Sequence, residues 1–131
     1  MAGSKLRRGP YGLDVFDNPR PGRAYVIRHE APEFTSVCPV TGQPDFGTVI
    51  IEYVPDKLCV ELKSLKFYLQ AFRNEGIYYE DVTNRILDEL VAAVRPRWMR
   101  VETRWRPRGG MSSVVTAEYE KRPRRSKTTR S

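Results

Sequence analysis

Histidine occurs once in this sequence and cysteine only twice, and both scarcities exclude chemistry. Cys38 and Cys59 cannot build a disulfide framework, and with His29 alone they match none of the usual zinc spacings. No apolar run is long enough to span a membrane and no charged-then-apolar leader opens the chain, so the expected compartment is the cytoplasm. A glycine-rich dinucleotide fingerprint is missing, as is any solenoid repeat. Acid is missing from both ends. Residues 1–10 carry Lys5, Arg7 and Arg8, and residues 121–131, KRPRRSKTTRS, carry six cations. Without these nine charges the formal +7 of the chain becomes −2 for residues 11–120, so the basic character belongs to the ends. Stretch 121–131 reads as a disordered, solvated tail or as an RNA-binding arm.

What is present suits one domain: 131 residues, of which 40% are apolar. Residues 1–22 read as an irregular N-terminal arm and residues 23–120 as the folded unit. AYVIRHE, 24–30, alternates like a strand; CPVTGQPDFG, 38–47, is crowded with turn residues and reads as a loop; TVIIEYVP, 48–55, is β-branched and strand-like. LCVE leads into a helix over about 63–74, stopped by Asn74 and Gly76. A second helix spans about 80–94, with Val82, Ile86, Leu87, Leu90, Val91 and Val94 on one face and Pro96 beyond its end. RWMRVETRW, 97–105, alternates between Met99, Val101, Thr103, Trp105 and Trp98, Arg100, Glu102, Arg104. PRGG makes a turn, and 112–120 a last strand. The order ββααββ predicts an α+β fold: an antiparallel four-stranded sheet with two helices on one face. The other face and both edges would then be open to oligomerisation.

Several residues stand out as candidates. Cys38 lies in the turn-rich loop and Asp45 follows seven residues later, so a turn can bring a nucleophilic thiol and a proton donor to one place. On spacing alone a loop cysteine and a loop aspartate are more often an incidental pair. Cys59, between Leu58 and Val60, reads as a small core residue, and His29 as an ordinary strand histidine. Glu80 and Asp81 open the second helix, where its dipole favours carboxylates; Glu80 is also suited to accept two parallel N–H bonds from a guanine-like edge. On the first helix, Leu62, Leu65, Leu69 and Phe72 form a core-facing stripe. Beside it runs a second stripe of Lys63, Lys66, Gln70 and Arg73, with no acid between Glu61 and Glu75. A solvated basic face and a phosphate site both fit that pattern.

Taken in order, PEFTSVCPVTGQPDFG, YVPDKLCVELKSLKFYLQAFRNEG, YYEDVTNRILDEL and PRGG resemble the QueF family, in its short single-domain form. These are the NADPH-dependent 7-cyano-7-deazaguanine reductases of queuosine biosynthesis. The family's diagnostic motif is matched by Glu61-Leu62-Lys63-Ser64-Leu65-Lys66-Phe67-Tyr68. The resemblance implies a tunnelling fold (T-fold) and an oligomeric barrel, in stacked pentameric rings with sites between subunits. It implies that Cys38 adds to the substrate nitrile as a thioimide, that Asp45 donates the proton, and that NADPH reduces the adduct. Val60, Glu61, Leu62, Tyr79 and Glu80 are then expected at the substrate, and Lys63, Lys66, Arg73 and Arg108 at the cofactor. Neither nucleic acid nor membrane is needed as a partner. Two positions depart from the family. Tyr79 stands where many members have histidine, and Val82 where some have a cysteine able to bridge to Cys38. Amidine-forming transferases acting on the deazaguanine of tRNA are the alternative within this resemblance, but they lack the cofactor motif. An RNA-binding module using the basic ends is the alternative outside it.

Overall fold

The computed structural model describes residues 5–121, so most of the basic stretch 121–131 lies outside the described residues. Seven strands and two α-helices run in the order β1 (Arg7–Arg8), β2 (Asp14–Asp17), β3 (Ile27–Val37), β4 (Pro44–Val54), β5 (Leu58–Val60), α1 (Leu62–Gln70), α2 (Tyr79–Val94), β6 (Trp98–Arg108) and β7 (Met111–Glu120). A four-stranded antiparallel sheet has the order β3-β4-β6-β7, the ββααββ arrangement expected. Among the described residues no helix is long and apolar enough to cross a membrane.

The irregular arm expected over 1–22 is corrected by the structure. Arg7–Arg8 and Asp14–Asp17 pair antiparallel, and β2 pairs onward with β5 to make a second, three-stranded sheet. Leu13 and Val15 are buried in the main core. Strands of two and four residues carry no readable period, and β5, the onward partner of β2, lies far along the chain.

Alternation decides which side chains meet the helices. In β4 the odd row Val49, Ile51 and Tyr53 is buried, and it faces Thr103, Val101 and Met99 across the ladder to β6. Asp45 and Gly47 continue the same row to the end of the strand. β3 keeps its own odd row through Ala31, then slips by one residue between Ala31 and Phe34. After that bulge the even residues Phe34 and Ser36 pair with Gly47 and Asp45. The strand thus runs well past the segment 24–30 expected from its pattern. The loop expected over 38–47 is correspondingly shorter, since Pro44–Gly47 belong to β4.

On the opposite face, Glu102 is nearly buried between Arg100 (2.8 Å) and Arg104 (2.5 Å), which hold its pKa below the usual carboxylate range. That face carries charges paired along and across strands, with Arg28 pairing to Glu30 on its own strand and to Glu52 on β4.

The first helix is shorter than expected. It starts where the Glu61 carboxylate accepts the amides of Lys63 and Ser64, and it ends at Gln70 in tighter turns through residue 74. Leu62, expected to face the core, is 60% exposed because it opens the helix before the helix settles on the sheet. The second helix matches its expected stripe: Val82, Ile86, Leu87, Leu90 and Val94 are buried, and Arg95 closes it in the left-handed conformation just before Pro96.

Gly47 sits under the indole of its ladder partner Trp105. A Cβ there would lie 2.7 Å from the Arg104 carbonyl oxygen and 2.8 Å from the Trp105 ring. Backbone cannot retreat from such a contact cheaply. Gly47→Ala is expected to lower stability by roughly 1–3 kcal/mol, measured by urea denaturation; an unchanged midpoint would show that the sheet yields at this point.

Candidate functional site

The chain after β3 folds into a closed turn around Cys38. Its amide donates to Gln43 O (2.8 Å), and the Gly42 amide returns to Cys38 O (2.9 Å). Gly42 has φ +77°, a conformation natural to glycine. A short parallel bridge ties this turn to the segment before α2. The Val37 amide donates to Glu75 O, and the Ile77 amide to Val37 O, each at 3.0 Å. The start of α2 is thereby brought beside the Cys38 turn.

Asp45 is 3% exposed, and its Oδ1 accepts from the Tyr79 hydroxyl (3.1 Å) and from Arg108 Nη1 (2.9 Å). Tyr79 is held from behind. Its ring stacks on Trp105 with centroids 4.1 Å apart and planes 9° from parallel. Trp105 Nε1 donates to Thr103 Oγ1 (2.8 Å), which lies 2.7 Å from Thr83 Oγ1, and Thr83 donates to Tyr79 O (2.7 Å). Since the Thr83 proton goes to Tyr79 O, Thr103 must donate to Thr83, and the chain of donors runs one way from sheet to helix.

Arg108 reaches Asp45 because β6 changes register. Odd residues of β6 face the helices through Trp105, and Arg108 would by strict alternation face away. A slip between Trp105 and Arg108 inverts that order at the end of the strand. The turn beyond consists of Gly109 and Gly110, both at positive φ.

The Cys38 thiol is drawn down to about 6, first by the Thr41 hydroxyl, then by the Thr41 and Val40 amides and by Arg108. Cys38 and Tyr79 in turn push the Arg108 pKa upward, with Asp45 adding to them. Burial raises the Tyr79 pKa. Ser36, the ladder partner of Asp45, is fully buried, and its hydroxyl has no hydrogen-bond partner. A thiolate, a carboxyl group, a phenol and a guanidinium thus meet at one end of the sheet. Such a set can attack an electrophilic carbon and deliver a proton to the atom beside it.

The remaining candidates stand elsewhere in the chain. Glu80 is exposed on the first turn of α2, one residue beyond Tyr79. Val60 is buried, with its amide on the Tyr53 hydroxyl (3.0 Å), and Glu61 is occupied in capping α1. Leu62, Lys66 and Arg73 line a cleft of ≈ 410 Å³ between α1 and β3, facing His29, Glu30 and Glu33. Lys63 is exposed next to it. The α1 wall offers cations to phosphates, and the facing acids suit hydroxyl groups. The donor set therefore fits a phosphorylated nucleotide. Among the described residues no hydrogen bond or ion pair joins this cleft to the Cys38 group. Arg108, expected with the cofactor cations, stands with Cys38 and Asp45 instead. Thr41 and Trp105 were not singled out from sequence. Thr41 lies three residues after Cys38 in the same turn, a visible signal, whereas the Trp105–Tyr79 stack joins positions 26 apart and leaves none.

Iodoacetamide alkylation followed against pH is expected to rise with a midpoint near 6, because a lowered thiol pKa means thiolate above that pH. Thr41→Val removes the leading cause and should move the midpoint upward. A midpoint near 8.5, the ordinary thiol value, would contradict this account.

Comparison with known proteins agrees with the geometry. Residues 44–124 match the family described as QueF-like protein. The chain is 64% identical over 107 residues to an NADPH-dependent 7-cyano-7-deazaguanine reductase of Rhodopirellula baltica, covering 82% of this chain and 88% of the relative. It is 60% identical over 109 residues to the reductase of that name in Chlorobaculum tepidum, covering 83% and 93%. The fold resembles a crystal structure of an archaeosine synthase, QueF-Like, in the apo form, with TM-score 0.69 and 24% identity over 76% of this chain and 96% of the other. That last likeness speaks to the fold alone, the T-fold expected. With the family match covering more than half of the chain and close relatives matched over most of their length, this chain belongs to the QueF family.

Proposed function

We propose that this chain reduces the nitrile of 7-cyano-7-deazaguanine to an aminomethyl group with NADPH, an oxidoreductase step of queuosine biosynthesis. The observation that carries the reading is the convergence of Cys38, Asp45, Tyr79 and Arg108, in a chain 58–64% identical to several reductases of that name. Cys38 Sγ forms a bond to the nitrile carbon. One C–N π bond breaks, its electron pair moves to nitrogen, and Asp45 supplies the proton there. The product is a thioimide, with no change of oxidation state. A nitrile is a poor hydride acceptor, and the thioimide a better one. NADPH bound in turn would supply the two hydrides that this four-electron reduction needs, and the bond from carbon to Cys38 Sγ breaks after the first, returning the thiolate. The α1 cations Lys63, Lys66 and Arg73 hold its phosphates, and Glu80 accepts the N–H groups of the deazapurine edge.

Tyr79 takes the position of the family histidine without its near-neutral titration. It positions Asp45 and does not shuttle protons. The amidine-forming alternative is disfavoured by the Lys63–Lys66 motif, and an RNA-binding module by the site itself.

The same reading carries a homo-oligomer of stacked pentameric rings. Among the described residues no hydrogen bond or ion pair joins Val60–Leu62 or the cationic cleft to Cys38, and in this reading a neighbouring copy completes each site. The outer edges of β3 and β7 are available for pairing. Sedimentation should give a species well above the 15.2 kDa monomer; a fully active monomer would refute the shared site.

Loss of nicotinamide absorbance should require the nitrile substrate and disappear in Cys38→Ala. Asp45→Asn should lower kcat by about 10²–10⁴-fold with little change in substrate Kd. Full turnover by Cys38→Ala would rule out the thioimide.

A further inference from the structure

The position of Arg108 carries an inference that rests on the nitrile-addition reading and deepens it. We propose that Arg108 is a positioning residue for the addition step: one guanidinium that aligns the Cys38 sulfur and the Asp45 carboxyl on the same nitrile, and not primarily a cofactor-phosphate cation.

Arg108 Nη1 lies 2.9 Å from Asp45 Oδ1, and the Tyr79 hydroxyl holds that same oxygen. Among the described residues no hydrogen bond reaches the second carboxylate oxygen, which is left for a ligand. The register slip in β6 points the same way. It spends a break in the ladder to turn Arg108 toward the helix side, where both reacting groups lie. The lowered Cys38 pKa, to which Arg108 contributes, agrees with the geometry.

The charge of the site agrees. Addition to a nitrile needs a thiolate beside a carboxylic acid, which together hold one proton and one negative charge. A thiol beside a carboxylate holds the same proton and the same charge. A single guanidinium in reach of both groups faces one unit of negative charge either way. The guanidinium itself gives up no proton, since its pKa lies far above the working range.

The test removes the cofactor from the experiment. The full chain and its Arg108→Gln and Arg108→Lys variants are mixed with 7-cyano-7-deazaguanine without NADPH, and the covalent adduct is followed by intact mass at several pH values. In parallel the iodoacetamide midpoint of Cys38 is measured. Arg108→Gln should slow adduct formation at pH 6.5 by about tenfold or more and raise the alkylation midpoint toward the ordinary thiol range. Arg108→Lys keeps the charge without the planar fork, and should restore the midpoint more than the adduct rate. Adduct formation and alkylation both unchanged in Arg108→Gln, with only the KM for NADPH raised, would overturn the proposal. If the unaltered chain forms no adduct, the nitrile reading fails, while the alkylation midpoints still report whether Arg108 governs Cys38. Thermal unfolding of each variant guards against misfolding, which is not expected because the Arg108 side chain is 39% exposed.

Discussion

A carboxylate cannot be buried alone, and Asp45 is buried. Much of this end of the molecule follows from that constraint. Asp45 occupies the last inward position of a row that is otherwise glycine and apolar side chains, so its partners must come from other elements. Tyr79 arrives from the first turn of α2 and Arg108 from the end of β6. Each arrival requires a local irregularity: the parallel bridge that anchors the start of α2 to the Cys38 turn, and the slip that reverses the facing of β6. These departures from regular structure are how one acid is satisfied and kept next to a thiol.

The stack of Tyr79 on Trp105 extends the constraint into the core. Trp105 covers Gly47 on one strand and meets Phe34 edge-on, with centroids 5.9 Å apart, on the next. The one-way chain through Thr103 and Thr83 fixes the backbone carbonyl of the same tyrosine. Packing and site are thus one piece of structure. The phenol that touches Asp45 cannot move without disturbing three strands and a helix.

Local patterns in the sequence already contained α2 and the inner row of β6, because their periods run unbroken for three turns and for four alternate residues. The turn between Cys38 and Asp45 could also be read, since both ends are close in sequence. The partnership of Asp45 with Arg108 could not: it spans 63 positions and depends on a bulge that no period announces. The N-terminal strands were hidden for a similar reason, being too short to show alternation, with β2 tied onward to the distant β5. Leu62 was misjudged because a heptad-like stripe says nothing about where along a helix contact with the sheet begins. The family motifs carried expectations for the cationic residues beyond what the fold of one chain brings together.

The low pKa that favours the Cys38 thiolate also leaves it open to air. A half-exposed thiolate is the form of cysteine that peroxide converts to sulfenic acid and then to higher oxides that no simple thiol reverses. The position where some relatives keep a second cysteine is the fully buried Val82, and Cys59 lies buried in the small sheet. No neighbour stands ready to trap the first oxidation product as a bridge. Storage of this protein is therefore a race between oxidant and added reductant, and its active fraction should age faster than its fold.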